Sequence, residues 1–431
     1  MTGLTPQNRA FAGAGARGPL VCDRSAGAID RIIVINDFSI AEGGAGVLVQ
    51  MAIRGYVERG FPVTLLTGQG STPELQALGV DVVGLGSQPL LELPAFQALR
   101  QGYQNTAAER MVGSWIARND TQGTVYHLHN WSQILSPAVY RALAPVARRT
   151  VVTCHDFFNV CPNGGLLHFG KSEPCELKPM SRKCITSQCD RRNGLHKVWR
   201  LLRHSHLLNL ARFARSDFTF TFIHPMMRET FIERGFRGRN LVTITNPVEP
   251  WTAERIEAER NAGYLFVGRI GRDKGADCAV EAARKAGQRI TLIGTGELAG
   301  ELEALAETVT LAGWCDRDAV ASHARKARAL IVPSRVVEPF GLVILEAAMS
   351  GLPVIVSDRA FLSKDIETAD MGRSFAVNDT DHLASILTEL ATADDKVAQM
   401  SHACRARAAD YCHTVDGWID ALVEVLESRL T

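Results

Sequence analysis

Short runs of β-branched and aliphatic residues alternate with longer amphipathic stretches along nearly the whole chain, in two separate series. The first series holds RIIVIN (31–36), VTLLTG, DVVGL, TVYHLHN (124–130), TVVTCHD (150–156), FTFTFI and LVTITN (241–246). Helical periodicity falls between them, over 47–60, 95–118 and 195–214. Apolar strands separated by helices predict a parallel sheet covered on both faces. A polar segment (247–263) interrupts the pattern. It then resumes as YLFVGRI, RITLIG, VTLAG, RALIVPS and PVIVSD, and closes with an amphipathic stretch, TVDGWIDALVEVLESRL (414–430). At 431 residues the chain exceeds a single core. The expectation is an α/β fold of two doubly wound Rossmann-like domains, 30–247 and 264–412, facing a central cleft. Residues 248–263 read as a linker, 157–194 as an insert and 413–431 as a terminal helix.

Lysine plus arginine number 47 against 46 for aspartate plus glutamate, so overall charge points to no partner class, and no nucleic-acid partner is expected. No apolar run approaches the ~20 residues that span a bilayer. Residues 1–29 lack the continuous apolar centre of a signal peptide and read as a disordered leader. Gly13, Gly15 and Gly18 within it have dinucleotide-fingerprint spacing, but no strand precedes them. Without an export signal, the ten cysteines are expected in a reducing cytoplasm.

In doubly wound domains ligands sit at the carboxyl ends of the strands. At one such end stands EPFGLVILEAAMSG (338–351). Pro339 forces Glu338 into an extended conformation. Gly341 opens a helix whose first N–H groups, at Gly341, Leu342 and Val343, can take a phosphate. Glu346, one turn in, can accept from two vicinal hydroxyls, and Glu338 from a sugar hydroxyl. A solvated loop acid followed by a helix-favourable acid has the same spacing. Arg269 and Lys274 follow the strand that opens the second domain and could clamp a diphosphate. Gly294 lies in a small glycine-rich turn. In the first domain, GGAG (43–46) opens a helix after a strand and loop, and His155 ends a strand, where a lone histidine can equally be structural.

FVGRIGRDKG, LIGTGELAGELE, VPSRVVEPFGLVILEAAMSGLPVIVSD and NDFSIAEGGAGVLVQMAIRGYVERGFPVTLLT resemble, in order and spacing, the motifs of the family 4 glycosyltransferases, over about residues 31–430. The resemblance implies a GT-B fold, with the terminal helix packed back on the first domain. It also implies retaining transfer of a hexose-type sugar, without a catalytic cofactor, from a UDP- or GDP-sugar to a glycan or polyprenyl-linked acceptor. Carried over by position, Glu346 binds ribose and Glu338 the hexose. Phe340, Gly341, Leu342 and Val343 supply loop contacts. Arg269 and Lys274 stabilise the leaving diphosphate, which Gly44 approaches. His155 orients a hydroxyl near the anomeric carbon. A GT-B epimerase or phosphorylase, or an inactive nucleotide-sugar-binding scaffold, are the alternatives. The scaffold reading would be favoured by loss of Glu338, Arg269 or Lys274, and all three are present.

Two segments stand apart. The insert carries Cys161, Cys175, Cys184 and Cys189, which suit a structural zinc or unlinked core positions; only the last pair approaches zinc-ligand spacing. DRD (316–318) and DTD (379–381) read as turn and helix-cap acids. Between Lys178 and Arg215 there are ten Lys/Arg and one acid, Asp190. Within it Val198, Leu201, Leu202 and Leu208 recur at helical spacing, beside Trp199, Phe213, Lys197, Arg200, Arg203, Arg212 and Arg215. The stretch 195–215 reads either as a peripheral anchor on an anionic inner-leaflet surface or as a helix with leucines in the core and arginines in solvent.

Overall fold

The computed structural model describes residues 28–41, 43–305 and 307–430. The 1–29 leader and its three glycines lie outside these, except for its last two residues, of which Ile29 is buried.

Among the described residues nine strands belong to the first domain: β1 (Arg31–Asn36), β2 (Val63–Thr67), β3 (Asp81–Gly84), β4 (Thr124–Leu128), β5 (Thr150–Cys154), β6 (Leu167–His168), β7 (Glu173–Pro174), β8 (Thr219–Phe222) and β9 (Asn240–Thr243). Seven form one sheet in the order β3-β2-β1-β4-β5-β8-β9, every pairing parallel. β6 and β7 make a small antiparallel hairpin inside the insert. The second domain has β10 (Tyr264–Val267), β11 (Ile290–Ile293), β12 (Val309–Gly313), β13 (Ala329–Val332), β14 (Val354–Ser357) and β15 (Gly372–Phe375), ordered β12-β11-β10-β13-β14-β15 and again all parallel. Strand order reverses direction between β1 and β4 and between β10 and β13. A crevice opens at such switch points, at the carboxyl ends of the strands.

The burial pattern explains why the strands were visible as continuous apolar runs. Ile32, Ile33, Val34 and Ile35 are each fully buried, as are Leu330 and Ile331 at the centre of the second sheet. One exception is β15. Its sequence, GRSF, offers no apolar run, and the strand forms because β14 supplies an edge to pair with.

Two details add to the sequence reading and a third agrees with it. The helical stretch 95–118 is two helices, Ala95–Tyr103 and Thr106–Asn119, divided where Asn105 accepts hydrogen bonds from the Ala107 and Ala108 N–H groups as an N-cap. The 248–263 linker is no solvated tether. Trp251, Ile256 and Ala258 are buried, and the Trp251 N–H donates to Ser350 Oγ at 2.8 Å. The terminal helix, Val415–Glu427, does pack on the first domain. Trp418, Ile419 and Leu422 join Ile53 and Tyr56 in one core, and Arg59 ion-pairs with Asp420 at 2.7 Å.

Candidate functional site

The two switch points face one another across a cleft of about 520 Å³, lined from both domains. The second domain contributes the Leu342–Met349 helix. Its N-cap Gly341 has φ of +66°, a left-handed conformation that glycine adopts without strain. Glu338 lies just before this turn with only 18% of its side chain exposed. Its Oε2 accepts from Lys274 Nζ at 2.6 Å and from Ser334 Oγ at 3.1 Å. Glu346 sits one helical turn in, and its Oε1 accepts from Arg317 Nη1 at 3.2 Å. Burial pushes the Glu346 carboxyl above its ordinary range, with Arg317 acting against the rise.

From the first domain, Gly44 stands at the start of the Gly43–Glu58 helix, so close that a side chain there would meet Leu342 Cδ1 at 3.2 Å. His155, at the end of β5, faces the same space. His155 Nε2 bonds His129 Nδ1 at 2.9 Å, while His155 Nδ1 has no hydrogen-bond partner among the described residues. Burial pulls the His155 pKa down to about 4, so the imidazole is neutral near pH 7. It can therefore accept or donate one hydrogen bond to a hydroxyl without bringing charge.

Gly44, His155, Lys274, Glu338, Phe340, Gly341, Leu342, Val343 and Glu346 thus all line one cleft. Phe340 does so while buried to 3% exposure, propping the loop from beneath. Two expected residues do not line it. The Arg269 guanidinium is drawn off to the Asp273 carboxylate four residues on, where it is 44% exposed. Gly294 is a packing glycine, since a Cβ there would lie 2.0 Å from the Gly268 carbonyl oxygen. Four participants were missed. Arg317 was hidden in the DRD segment, whose Asp316 indeed caps a helix by accepting the Ala319 N–H. Ser334 and Asn246 lie just past strands and were open to the strand-end rule; Asn246 lines the cleft, is buried, and has no hydrogen-bond partner for its Oδ1 among the described residues. His129 directly follows β4 and was open to the same rule.

Burial of several imidazoles predicts an acid sensitivity. His127 is pulled down to about 3, His155, His204 and His224 to about 4, and His129 well below its usual value, each first by desolvation. The unfolded chain takes protons at these residues below about pH 6.5, and the folded chain does not. Stability is therefore lost as pH falls from 6.5 towards 4. Asp37, Asp156 (pushed up to about 6) and Glu346, raised by burial, act in the opposite sense but are fewer. A net loss on the order of a few kcal/mol is expected over that range. Urea midpoints that stay flat from pH 6.5 to 4.5 would contradict it.

Comparison with known proteins fits the cleft. Residues 43–247 match the family model described as a glycosyl transferase 4-like domain, and residues 249–407 match glycosyl transferases group 1. The chain is a GT-B glycosyltransferase of the group 1, family 4 type. It is 25% identical over 385 residues to a glycogen synthase of Mycobacterium tuberculosis, covering 81% of this chain and 87% of that one. It is 24% identical over 257 residues to an uncharacterised glycosyltransferase of Methanocaldococcus jannaschii, covering 54% of this chain and 64%, less than two thirds, of the relative. Its fold matches that of Anabaena HepE, solved with UDP and glucose, with a TM-score of 0.63 at 17% identity, over 92% of this chain and 99% of the other.

In this transferase the four thiols of the cysteine insert are unlinked, and Cys161, Cys184 and Cys189 are buried, as the core-position reading expects. Among the described residues no group of three or more His, Cys, Asp or Glu side chains is placed to hold a metal. Lys197 stands among the thiols, its Nζ bonded to Cys189 Sγ at 2.9 Å and to Cys184 Sγ at 3.9 Å. The Gly194–Ala211 helix turns the expected burial around. Lys197, Arg203 and His204 are buried, whereas Val198, Leu202 and Leu208 are exposed. Arg203 is buried because its guanidinium donates to the Gly102 and Ser132 carbonyls, at 2.7 and 2.6 Å. Phe213 is in the core rather than at an interface. No helix among the described residues is long and apolar enough to cross a membrane.

Proposed function

We propose that this transferase moves a hexose-type sugar, with retention of configuration, from a nucleoside diphosphate sugar to a glycan or lipid-linked glycan of the cell surface. The observation that carries the reading is the convergence of Lys274, Glu338, Glu346 and a glycine-opened helix N-terminus on one cleft, opposite a neutral histidine. The N–H groups at 341–343 and the Lys274 ammonium suit a diphosphate. Glu346 suits the ribose hydroxyls, and Glu338 with His155 the hydroxyls of the hexose. UDP is the favoured nucleotide, because HepE of the same fold was solved with it; GDP is the alternative.

Lys274 is the electrostatic centre of the proposed mechanism. The sugar C1–O bond to the phosphate breaks while a bond from C1 to the acceptor oxygen forms on the same face, and the acceptor proton passes to the departing phosphate oxygen. Negative charge grows on the diphosphate during this step, where a fixed cation acts most strongly. Arg269 can help stabilise that charge only by leaving Asp273. The structural zinc at the four cysteines stays a proposal for elemental analysis, and peripheral attachment to an anionic inner leaflet one for salt-dependent sedimentation.

Proton NMR of a product made from an α-linked UDP-sugar tests the stereochemistry. The expected anomeric coupling is that of an α-glycoside, and a β-glycoside would overturn the retaining step.

A further inference from the structure

The cations between Lys178 and Arg215 do not spread evenly over the surface. Three of them, Lys178, Arg212 and Arg215, meet Arg234 and Arg237 around a cavity of about 650 Å³ on the first domain. No Asp or Glu lines it, in a chain whose acids and bases are nearly equal at 46 and 47. None of its lining residues lines the interdomain cleft. Cations are favoured at the carboxyl ends of helices, which accounts for Arg212, closing the Gly194–Ala211 helix, and Arg234, closing the Pro225–Glu233 helix. Lys178, Arg215 and Arg237 stand outside both helices and need another reason.

Most of the donors around the cavity are unspent. Arg234 Nη1 donates to the Leu177 carbonyl at 3.0 Å and Arg237 Nη1 to the Phe236 carbonyl at 3.1 Å, so each guanidinium keeps its other N–H groups. The side chains of Lys178, Arg212 and Arg215 have no hydrogen-bond or ion-pair partner among the described residues. Lys178 is nevertheless placed, because its stem lies on Gly235, where a Cβ would meet Lys178 Cε at 3.3 Å. The floor is firm. Phe213 and Phe236 are buried beneath the cations, with ring centroids 4.9 Å apart. Two lining residues hold left-handed backbone without being glycine, Met180 at φ +58° and Arg212 at φ +46°. Such strain persists where the surroundings over-determine it, and it clusters at ligand sites.

We infer that this cavity is a second binding site, separate from the donor cleft, for a soluble small molecule that carries two or more phosphate groups. Cations crowded together with no acid among them repel one another. A phosphate-rich anion relieves that repulsion and accepts from the unspent N–H groups. One phosphate satisfies one guanidinium fork and leaves the remaining cations unpaired, so the arrangement suits several. The apolar rings below suit the carbon framework that joins them. The site does not depend on the glycosyl-transfer reading.

Calorimetry of the full chain with inositol hexakisphosphate as the probe tests the site. The probe should bind saturably, more weakly as salt rises, and inorganic phosphate should bind about tenfold or more below it. Arg212→Glu/Arg215→Glu, altered at exposed positions, should lose about tenfold or more in affinity for the probe. Lys178→Glu should weaken it in the same direction. Arg325→Glu/Lys326→Glu makes the same charge change on exposed residues of the second domain and should leave the probe bound as in wild type. All three variants should keep the wild-type melting temperature. No saturable binding, unchanged affinity in the Arg212/Arg215 and Lys178 variants, or equal loss in the two double variants overturns the proposal. Displacement of the probe by stoichiometric UDP also overturns it, because both would then occupy the donor cleft. So does binding of phosphatidylglycerol vesicles without binding of the soluble probe, which would make these cations a membrane contact. A probe that binds as described while UDP does not bind at all refutes the donor-cleft reading and leaves this site standing.

Discussion

Lys274→Ala should lower sugar transfer by about 10²–10³-fold while leaving donor affinity much closer to wild type, the magnitude typical of one lost charge-stabilising donor. The reasoning begins from its surroundings. Lys274 is 31% exposed and bonded to Glu338, which is itself 18% exposed, so the ammonium is held in place rather than sampling solvent. A lysine held this way costs little to reorganise when negative charge appears beside it. Its contribution therefore falls mainly on the transition state, and a loss in kcat larger than the rise in donor KM is the signature. Lys274→Arg should recover part of the rate, since the charge returns but a planar fork does not reproduce a point charge. If Lys274→Ala transfers sugar at nearly the wild-type rate, the leaving group is stabilised elsewhere.

Glu346→Gln is the second large effect, and it should appear in binding. The carboxylate is a quarter exposed and paired with Arg317 at 3.2 Å. The neutral amide removes the charged acceptor proposed for two ribose hydroxyls and leaves Arg317 without its anion. A loss on the order of 2–5 kcal/mol in donor affinity is expected, with the melting temperature little changed. Arg317→Ala separates the two causes. It should weaken the donor less, because the hydroxyl acceptor remains. A rise in affinity in Glu346→Gln would mean that the carboxylate repels the donor.

Much of this molecule could be read from the order of its residues, for identifiable reasons. Strands buried on both faces must be apolar throughout, so Ile32–Ile35 and Leu330–Ile331 announced themselves. β15 could not, because GRSF is held by the edge of β14. Cleft residues were visible where the strand-end rule coincided with a carboxylate or a cation, as at Glu338, Lys274 and Glu346. They were invisible where the chemistry depended on tertiary partners. Arg317 reaches Glu346 from the first position of a helix 29 residues earlier, and Arg269 is turned to Asp273 by a local ion pair. The Gly194–Ala211 helix shows the limit most plainly. Its periodicity was correct, but periodicity alone cannot say which face is inward. The carbonyls of Gly102 and Ser132 and the thiols around Lys197 draw Lys197 and Arg203 inside, while Val198, Leu202 and Leu208 stay outside.

The most direct measurement is a crystal structure of this protein with UDP. The account predicts the nucleotide in the interdomain cleft, with ribose hydroxyls within hydrogen-bond distance of Glu346 and the diphosphate against Lys274 and the backbone N–H groups of 341–343. UDP bound outside that cleft, or inside it with Glu346 and Lys274 both beyond hydrogen-bond reach, would contradict it.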